Sequence, residues 1–275
     1  MVVYVRYTGN LLQYADLFRA SSDGTHELRL TRNRPMKQAT HCVSSDGKTI
    51  AYVRGREIRA IQWDGTDDRL LVDLPSGDPY VVPMCFEPNT RKLYYKLDRE
   101  ESSQLVYDLR CYDLATGVDA FVYEGTHLFS TQGYLMWHPD GDYMLVGRGD
   151  DNKVRAWYPQ ANAVAPISAS DMPFNQFYTF SRDGRYLHFI GGTAGRQLFR
   201  LDLLGGTPEL LATFNSQRQP AWLAISADGS YAFVTVYEDS IGEPVLEKLD
   251  LLTGDLVMVG NIDSDTDMPA TRGCP

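Results

Sequence analysis

The sequence predicts an all-β chain folded as a six-bladed β-propeller of four-stranded antiparallel blades, and three observations carry that expectation. Five segments stack as one pattern of tight turn followed by strand: SSDGKTIAYV from Ser44, EPNTRKLYYK from Glu87, HPDGDYMLVG from His138, SRDGRYLHFI from Ser181 and SADGSYAFVT from Ser226. Their turn residues Asp46, Asn89, Asp140, Asp183 and Asp228 recur after 43, 51, 43 and 45 residues, the period of a repeat array. A second marker lies about 20 residues further on in the unit, where DLFRASSDGT, EIRAIQWDGT, LRCYDLATGV, LFRLDLLGGT and LEKLDLLTGD run a strand into a turn at Gly24, Gly65, Gly117, Gly206 and Gly254. The third observation is that the two ends of the chain complement each other.

Each element follows from local chemistry. Asp-Gly and Asn fit the first turn because they tolerate the left-handed backbone of a short hairpin. The strand after Gly184 sets Tyr186, His188 and Ile190 against Leu187 and Phe189, the alternation expected of β-structure. Two such hairpins per unit make the four short strands of a propeller blade. Residues 1 to 31 hold the second, third and fourth strands of a blade without its first, whereas Met268 to Pro275 hold a first strand with nothing after it. Aligning Met268 with Met36 brings Cys274 onto Cys42 without a gap. The C-terminal strand is therefore expected to complete the N-terminal blade and close residues 1–275 into one ring, leaving no sheet edge open.

Composition narrows the function classes. With 43% hydrophobic and 23% charged residues the chain is a folded domain rather than a disordered or collagen-like one. Its net charge of -10 makes nucleic acid an unexpected partner. No run approaches the roughly 18 apolar residues of a membrane span, so membrane insertion is not expected. The expected state is a monomer, and no cofactor is called for. Met1 as the native start would place the protein in the cytoplasm; the alternative is the periplasm.

Trp137-His138-Pro139-Asp140-Gly141 and Ile50-Ala51-Tyr52-Val53 resemble the turn and strand signatures of the TolB-type six-bladed propellers, and the resemblance extends from Val3-Tyr4-Val5 to Met268-Pro269-Ala270. It implies the propeller without the smaller N-terminal domain of TolB proper. Propellers of this kind serve as protein-binding platforms, peptidase gates and oligogalacturonate lyases, so the resemblance carries the fold and leaves the activity open.

Residues with chemical potential mostly have simpler readings. His41 and His127 fall at the start of first strands, His138 in the opposite turn and His188 within a second strand, so these histidines diverge and no metal site is expected. Asp263, Asp265 and Asp267 alternate like the opening of a calcium loop, but Met268 stands where that loop requires glycine. Arg148-Gly149-Asp150 falls at a hairpin, a three-residue match of little weight. Cys42, Cys85 and Cys274 share one repeat position with Thr179 and Ala224, which reads as a buried slot for small side chains. Neither a nucleophile elbow nor a phosphate-binding glycine loop is present.

The expected binding face is the channel mouth, where the loops from fourth to first strands and from second to third strands meet. It collects Arg34, Lys37, Tyr80, His127, Gln132, Asn175, Gln176, Gln217, Arg218 and Gln219, with His41, Tyr134, Tyr178 and Arg272 near the starts of the inner strands. A basic, amide-rich and aromatic mouth suits a non-catalytic module that binds an acidic or extended segment of a partner protein, or an anionic ligand. The alternative is a lyase, hydrolase or lectin acting on an anionic carbohydrate, with Arg34, Arg218 and Arg272 pairing carboxylates and Tyr134 or Tyr178 stacking a sugar or abstracting a proton.

Overall fold

A computed structural model describes residues 2–7, 15–21, 25–32, 41–74, 81–101, 104–125, 135–148, 154–167, 174–226, 228–238, 244–260 and 270–271. The chain divides into two compact units, Met1–Ala39 with Pro173–Gly273, and Thr40–Met172. In the first unit, β1 (Val2–Tyr7), β2 (Ala15–Ala20) and β3 (Leu28–Arg29) form a sheet that β24 (Ala270–Thr271) joins in the order β24-β1-β2-β3. The second unit holds three sheets of four consecutive strands. These are β4 (His41–Val43), β5 (Thr49–Arg54), β6 (Glu57–Gln62) and β7 (Arg69–Asp73); β8 (Val81–Phe86), β9 (Lys92–Glu101), β10 (Gln104–Asp113) and β11 (Asp119–Gly125); and β12 (Met136–Trp137), β13 (Met144–Arg148), β14 (Val154–Tyr158) and β15 (Ala163–Pro166). Two more sheets complete the first unit: β16 (Phe174–Phe180), β17 (Tyr186–Gly191), β18 (Gln197–Asp202) and β19 (Glu209–Thr213), then β20 (Arg218–Ile225), β21 (Tyr231–Glu238), β22 (Pro244–Asp250) and β23 (Leu256–Gly260). All pairings are antiparallel, and no helix among the described residues is long and apolar enough to cross a membrane.

The pairing of the chain ends lies within the described residues. Val2 sits opposite Thr271 and Val3 opposite Ala270, and Val3 is fully buried. The pairing expected of the chain ends is therefore present at Ala270 and Thr271, while Met36, Met268, Arg272 and Cys274 lie outside the described residues.

The first turn works differently from the simple expectation that Asp itself goes left-handed. In Ser44–Thr49, Ser44 Oγ donates to Asp46 Oδ1 at 2.6 Å, that oxygen also accepts the Lys48 N–H at 3.0 Å, and Thr49 N donates to Ser44 Oγ at 3.0 Å. The same bonds recur at Ser181 and Asp183, and at Ser226 and Asp228. Asp is therefore the acceptor that closes the turn, and the left-handed residue is the glycine after it, φ 67° at Gly47. Where that glycine becomes Thr90, a β-branched residue that resists positive φ, the left-handed conformation moves back to Asn89 at φ 58°.

Burial explains why the strand alternation is weaker than a half-exposed sheet would show. Leu187, His188, Phe189 and Ile190 are all buried, and the β8–β11 sheet shows the cause, since it packs against a neighbour on both of its faces. Successive residues of one strand feed different cores. Met84, Phe86, Leu93 and Tyr95 pack with Cys42, Val53, Ile58 and Leu74 of the preceding sheet, while Cys85 and Tyr94 face Leu135, Trp137, Met144 and Trp157 of the following one. Trp137 meets Tyr94 edge-on with ring centroids 5.0 Å apart, a favoured arrangement for aromatic quadrupoles. In the other unit Ile190 and Leu198 pack on Leu223, Ile225 and Val234, and Phe233 and Leu246 pack on Phe18 and Ala20. Cys42, Cys85, Thr179 and Ala224 are all buried, so the repeated slot for small side chains is present; Cys111 lies elsewhere, its thiol pushed up to about 11 chiefly by burial.

Candidate functional site

Three of the first strands of their sheets share a feature that sequence reading does not reveal. Register breaks between Val81 and Met84 in β8, between Phe174 and Tyr178 in β16, and between Pro220 and Trp222 in β20, each at the start of the strand. Bulges at strand starts bend the strand and end regular pairing. An extra residue leaves little trace in the sequence of a strand buried on both faces, because no polar–apolar alternation marks the slip.

The sequence-predicted site residues divide as follows. Arg34, Lys37, Tyr80, His127, Gln132, Tyr134 and Arg272 lie outside the described residues, as do Asp263, Asp265, Asp267 and the Gly149–Asp150 half of the tripeptide. Gln176 falls within the broken register of β16, and Gln217 and Gln219 are exposed at the entry of β20. His41 opens β4 opposite Tyr52, and Tyr178 lies opposite Phe189 with only 3% exposure, which makes each part of the packing of its own unit.

Arg218 differs most from its expectation. Its guanidinium reaches across the sheet to Glu247 of β22, whose side chain is 5% exposed, so the carboxylate it meets is the chain's own. The register shows why Glu247 is there. Two sheets of the other unit carry a tyrosine–arginine–aspartate clip at the matching place. Tyr52 Oη donates to Asp68 Oδ1 at 2.7 Å and Arg59 Nε to the same oxygen at 2.8 Å; Tyr95 Oη donates to Asp119 at 2.9 Å and Arg110 Nη2 to Asp119 at 2.9 Å. Arg59 and Arg110 sit opposite their tyrosines, as Phe199 sits opposite Phe189 and Glu247 opposite Val234. The position takes an ionic clip, a pair of phenyl rings stacked at 5.3 Å, or an acid that draws its cation from the inner strand. The nine-residue spacing from Arg59 to Asp68 and from Arg110 to Asp119 was the available signal for the clip.

His188 is buried in β17 opposite Thr179 and Arg200, and its Nδ1 has no hydrogen-bond partner among the described residues. Burial, reinforced by the Arg200 charge, pushes its pKa down to about 4, so the ring is neutral when folded. An unfolded chain with an ordinary histidine near 6.5 binds that proton sooner. Stability is therefore lost as pH falls through about 6.5 towards 4, by roughly 3 kcal/mol in total from this residue. Urea unfolding of His188→Gln is expected to lose less stability between pH 7 and pH 4.5 than the parent; parallel pH profiles would rule out His188 as an acid-sensitive element. His138 stacks on Tyr143 at 4.7 Å, at the opposite end of its sheet from the mouth. No group of three His, Cys, Asp or Glu side chains among the described residues is placed to hold a metal ion.

A concavity lies at the turn ends of the 40–172 unit. A cleft of about 550 Å³ opens between the Ser44–Thr49 turn and the Glu87–Lys92 turn, floored by Phe86 and Leu114. Asn89 N donates to Ser45 Oγ at 3.1 Å and ties the two turns together. Burial alone would raise the Asp46 carboxyl, but the Ser44 hydroxyl, the Lys48 N–H and the charges of Lys48 and Arg91 together hold it below its ordinary value.

No family model and no curated protein matches the sequence. Solved structures do match in fold. TolB from Acinetobacter baumannii superposes with a TM-score of 0.71 at 16% identity, over 99% of this chain and 64% of that one. The chain thus spans less than two thirds of that protein. A putative TolB from Agrobacterium tumefaciens gives 0.65 at 13% identity, over 98% and 96% of the two chains. An oligogalacturonate lyase in complex with manganese gives 0.62 at 15% identity, over 88% and 70%. At these identities the likeness shows the fold alone, an all-β propeller of small four-stranded antiparallel sheets.

Proposed function

We propose that the sheets close into one six-bladed ring, completed by β24, and that this ring is a recognition module that binds an acidic or extended segment of a partner protein, or an anionic ligand, at its mouth. The observation that carries the reading is the set of register breaks at the mouth-side starts of β8, β16 and β20, beside the exposed amides of Gln217 and Gln219. Backbone groups released from the ladder at such breaks, together with the two amides, suit recognition of an extended segment. Against the carbohydrate-active alternative, Arg218 already holds an internal carboxylate and Tyr178 is packed beneath the surface.

The test is a pull-down from the native source run beside a glycan array. Gln217→Glu with Gln219→Glu changes two exposed side chains and sets like charge against an acidic partner. A partner captured by the parent is expected to be lost in this variant and retained by Arg185→Ala, a substitution at the turn end of another strand. Cleavage of an acidic oligosaccharide with formation of new unsaturated ends would overturn the recognition reading in favour of a lyase.

A further inference from the structure

We propose that the cleft between the Ser44–Thr49 and Glu87–Lys92 turns is a binding site for a small organic anion, a carboxylate or phosphate carried on a hydroxylated body. It lies at the far ends of β4 and β8 from the mouth, so it stands apart from the recognition surface described above. Its volume of about 550 Å³ is that of a small-molecule pocket.

The charge arrangement selects an anion. Lys48 and Arg91 both line the cleft and are exposed, and neither the Lys48 ammonium nor the Arg91 guanidinium makes a hydrogen bond or ion pair among the described residues. The single carboxylate lining it, Asp46, has its Oδ1 occupied by the Ser44 hydroxyl and the Lys48 N–H. The cleft therefore carries two cations against one internally bonded acid.

The repeat supplies its own control. Arg185 occupies the same turn position as Lys48 and Arg91, directly after the first-turn glycine or its equivalent, and is neutralised by Asp202 at 2.8 Å in its own sheet. The residue paired with Thr49 in the ladder, matching the place of Asp202 opposite Tyr186, is the neutral Gln62. Lys48 thus lacks the contact ion pair that Arg185 makes from the same position, although its charge and that of Arg91 act on Asp46. Asp113, which matches Asp202 in the Arg91 sheet, accepts the N–H groups of Ala115 and Thr116 on Oδ1 as Asp202 accepts that of Leu204, but makes no ion pair with Arg91 among the described residues. The Gln62 amide and the hydroxyls of Ser45, Thr49 and Thr90 also line the cleft and match a ligand bearing hydroxyls. A guanidinium beside an ammonium is the pairing that recognises a carboxylate or phosphate.

Titration calorimetry with glycerol phosphate, glycerate and neutral glycerol tests the proposal. Saturable binding of one or both anions is expected, with none of glycerol, and the preferred anion distinguishes phosphate from carboxylate. Arg91→Ala is expected to weaken it by about tenfold or more, and Gln62→Asp by a similar factor because it installs the missing counterion for Lys48. Arg185→Ala should leave affinity unchanged, and the Gln217→Glu, Gln219→Glu variant should do the same, which separates this site from the mouth. Absence of saturable binding by either anion, or equal affinity in the Arg91→Ala and Gln62→Asp variants with their melting temperatures preserved, would overturn it.

Discussion

Arg218→Ala is expected to lower the free energy of unfolding by about 3 to 5 kcal/mol, far more than a rim arginine would contribute. The Glu247 side chain is 5% exposed, and its Oε2 has no hydrogen-bond partner among the described residues, so the guanidinium on Oε1 is what compensates this carboxylate. Removing the cation strands a buried charge. Taking both charges away avoids that penalty, so Arg218→Leu with Glu247→Met, which keeps the volume on the face that carries Val234 and Leu249, is expected to lie within about 1 to 2 kcal/mol of the parent. Urea unfolding of the two singles and the double gives the coupling energy directly. A single variant indistinguishable from the parent, or a double as unstable as the sum of the singles, would show that the pair is not a compensated buried unit. The same argument explains why a binding test at the mouth is better placed on Gln219 than on Arg218, where lost affinity and lost stability would be confounded.

Legibility in the sequence followed the range over which each interaction acts. The turn of Ser44, Asp46 and Gly47 is complete within six residues, so its chemistry repeats visibly as a string and fixes the period. The complementarity of the two chain ends was readable for a similar reason, since a missing first strand and a surplus one are both local patterns. The Arg218–Glu247 pair joins residues 29 apart, and its acid sits in a strand whose neighbours Leu246 and Leu249 advertise only β-structure. The cleft was invisible for a related reason: Lys48 and Arg91 become neighbours only when two turns 43 residues apart are set side by side by face-to-face packing of their sheets. Composition pointed to the mouth because Arg34, Lys37, Arg218 and Arg272 concentrate there in sequence, yet composition cannot show which cation is already paired.

Deleting residues 270–275 is expected to cost about 3 to 5 kcal/mol and to promote association between copies of the chain. β24 is the strand beyond β1 in its sheet, and Val3, paired with Ala270, is fully buried. Loss of the strand re-exposes that valine, worth about 1.5 to 3 kcal/mol, and leaves ladder groups of β1 without partners, each contributing about 1 kcal/mol net. It also turns β1 into a free edge whose Val2, Val3 and Val5 are strong β-formers, a template for another chain. A synthetic peptide of residues 266–275 is expected to restore the melting temperature in a concentration-dependent way, because binding to the folded state alone stabilises it by mass action. Rescue by this peptide, and not by one in which Ala270 is replaced by proline, would assign the effect to backbone pairing rather than to general hydrophobic contact. A truncated chain that melts with the parent, or one that no peptide rescues, would mean that β24 contributes no stabilising pairing to the β1 sheet.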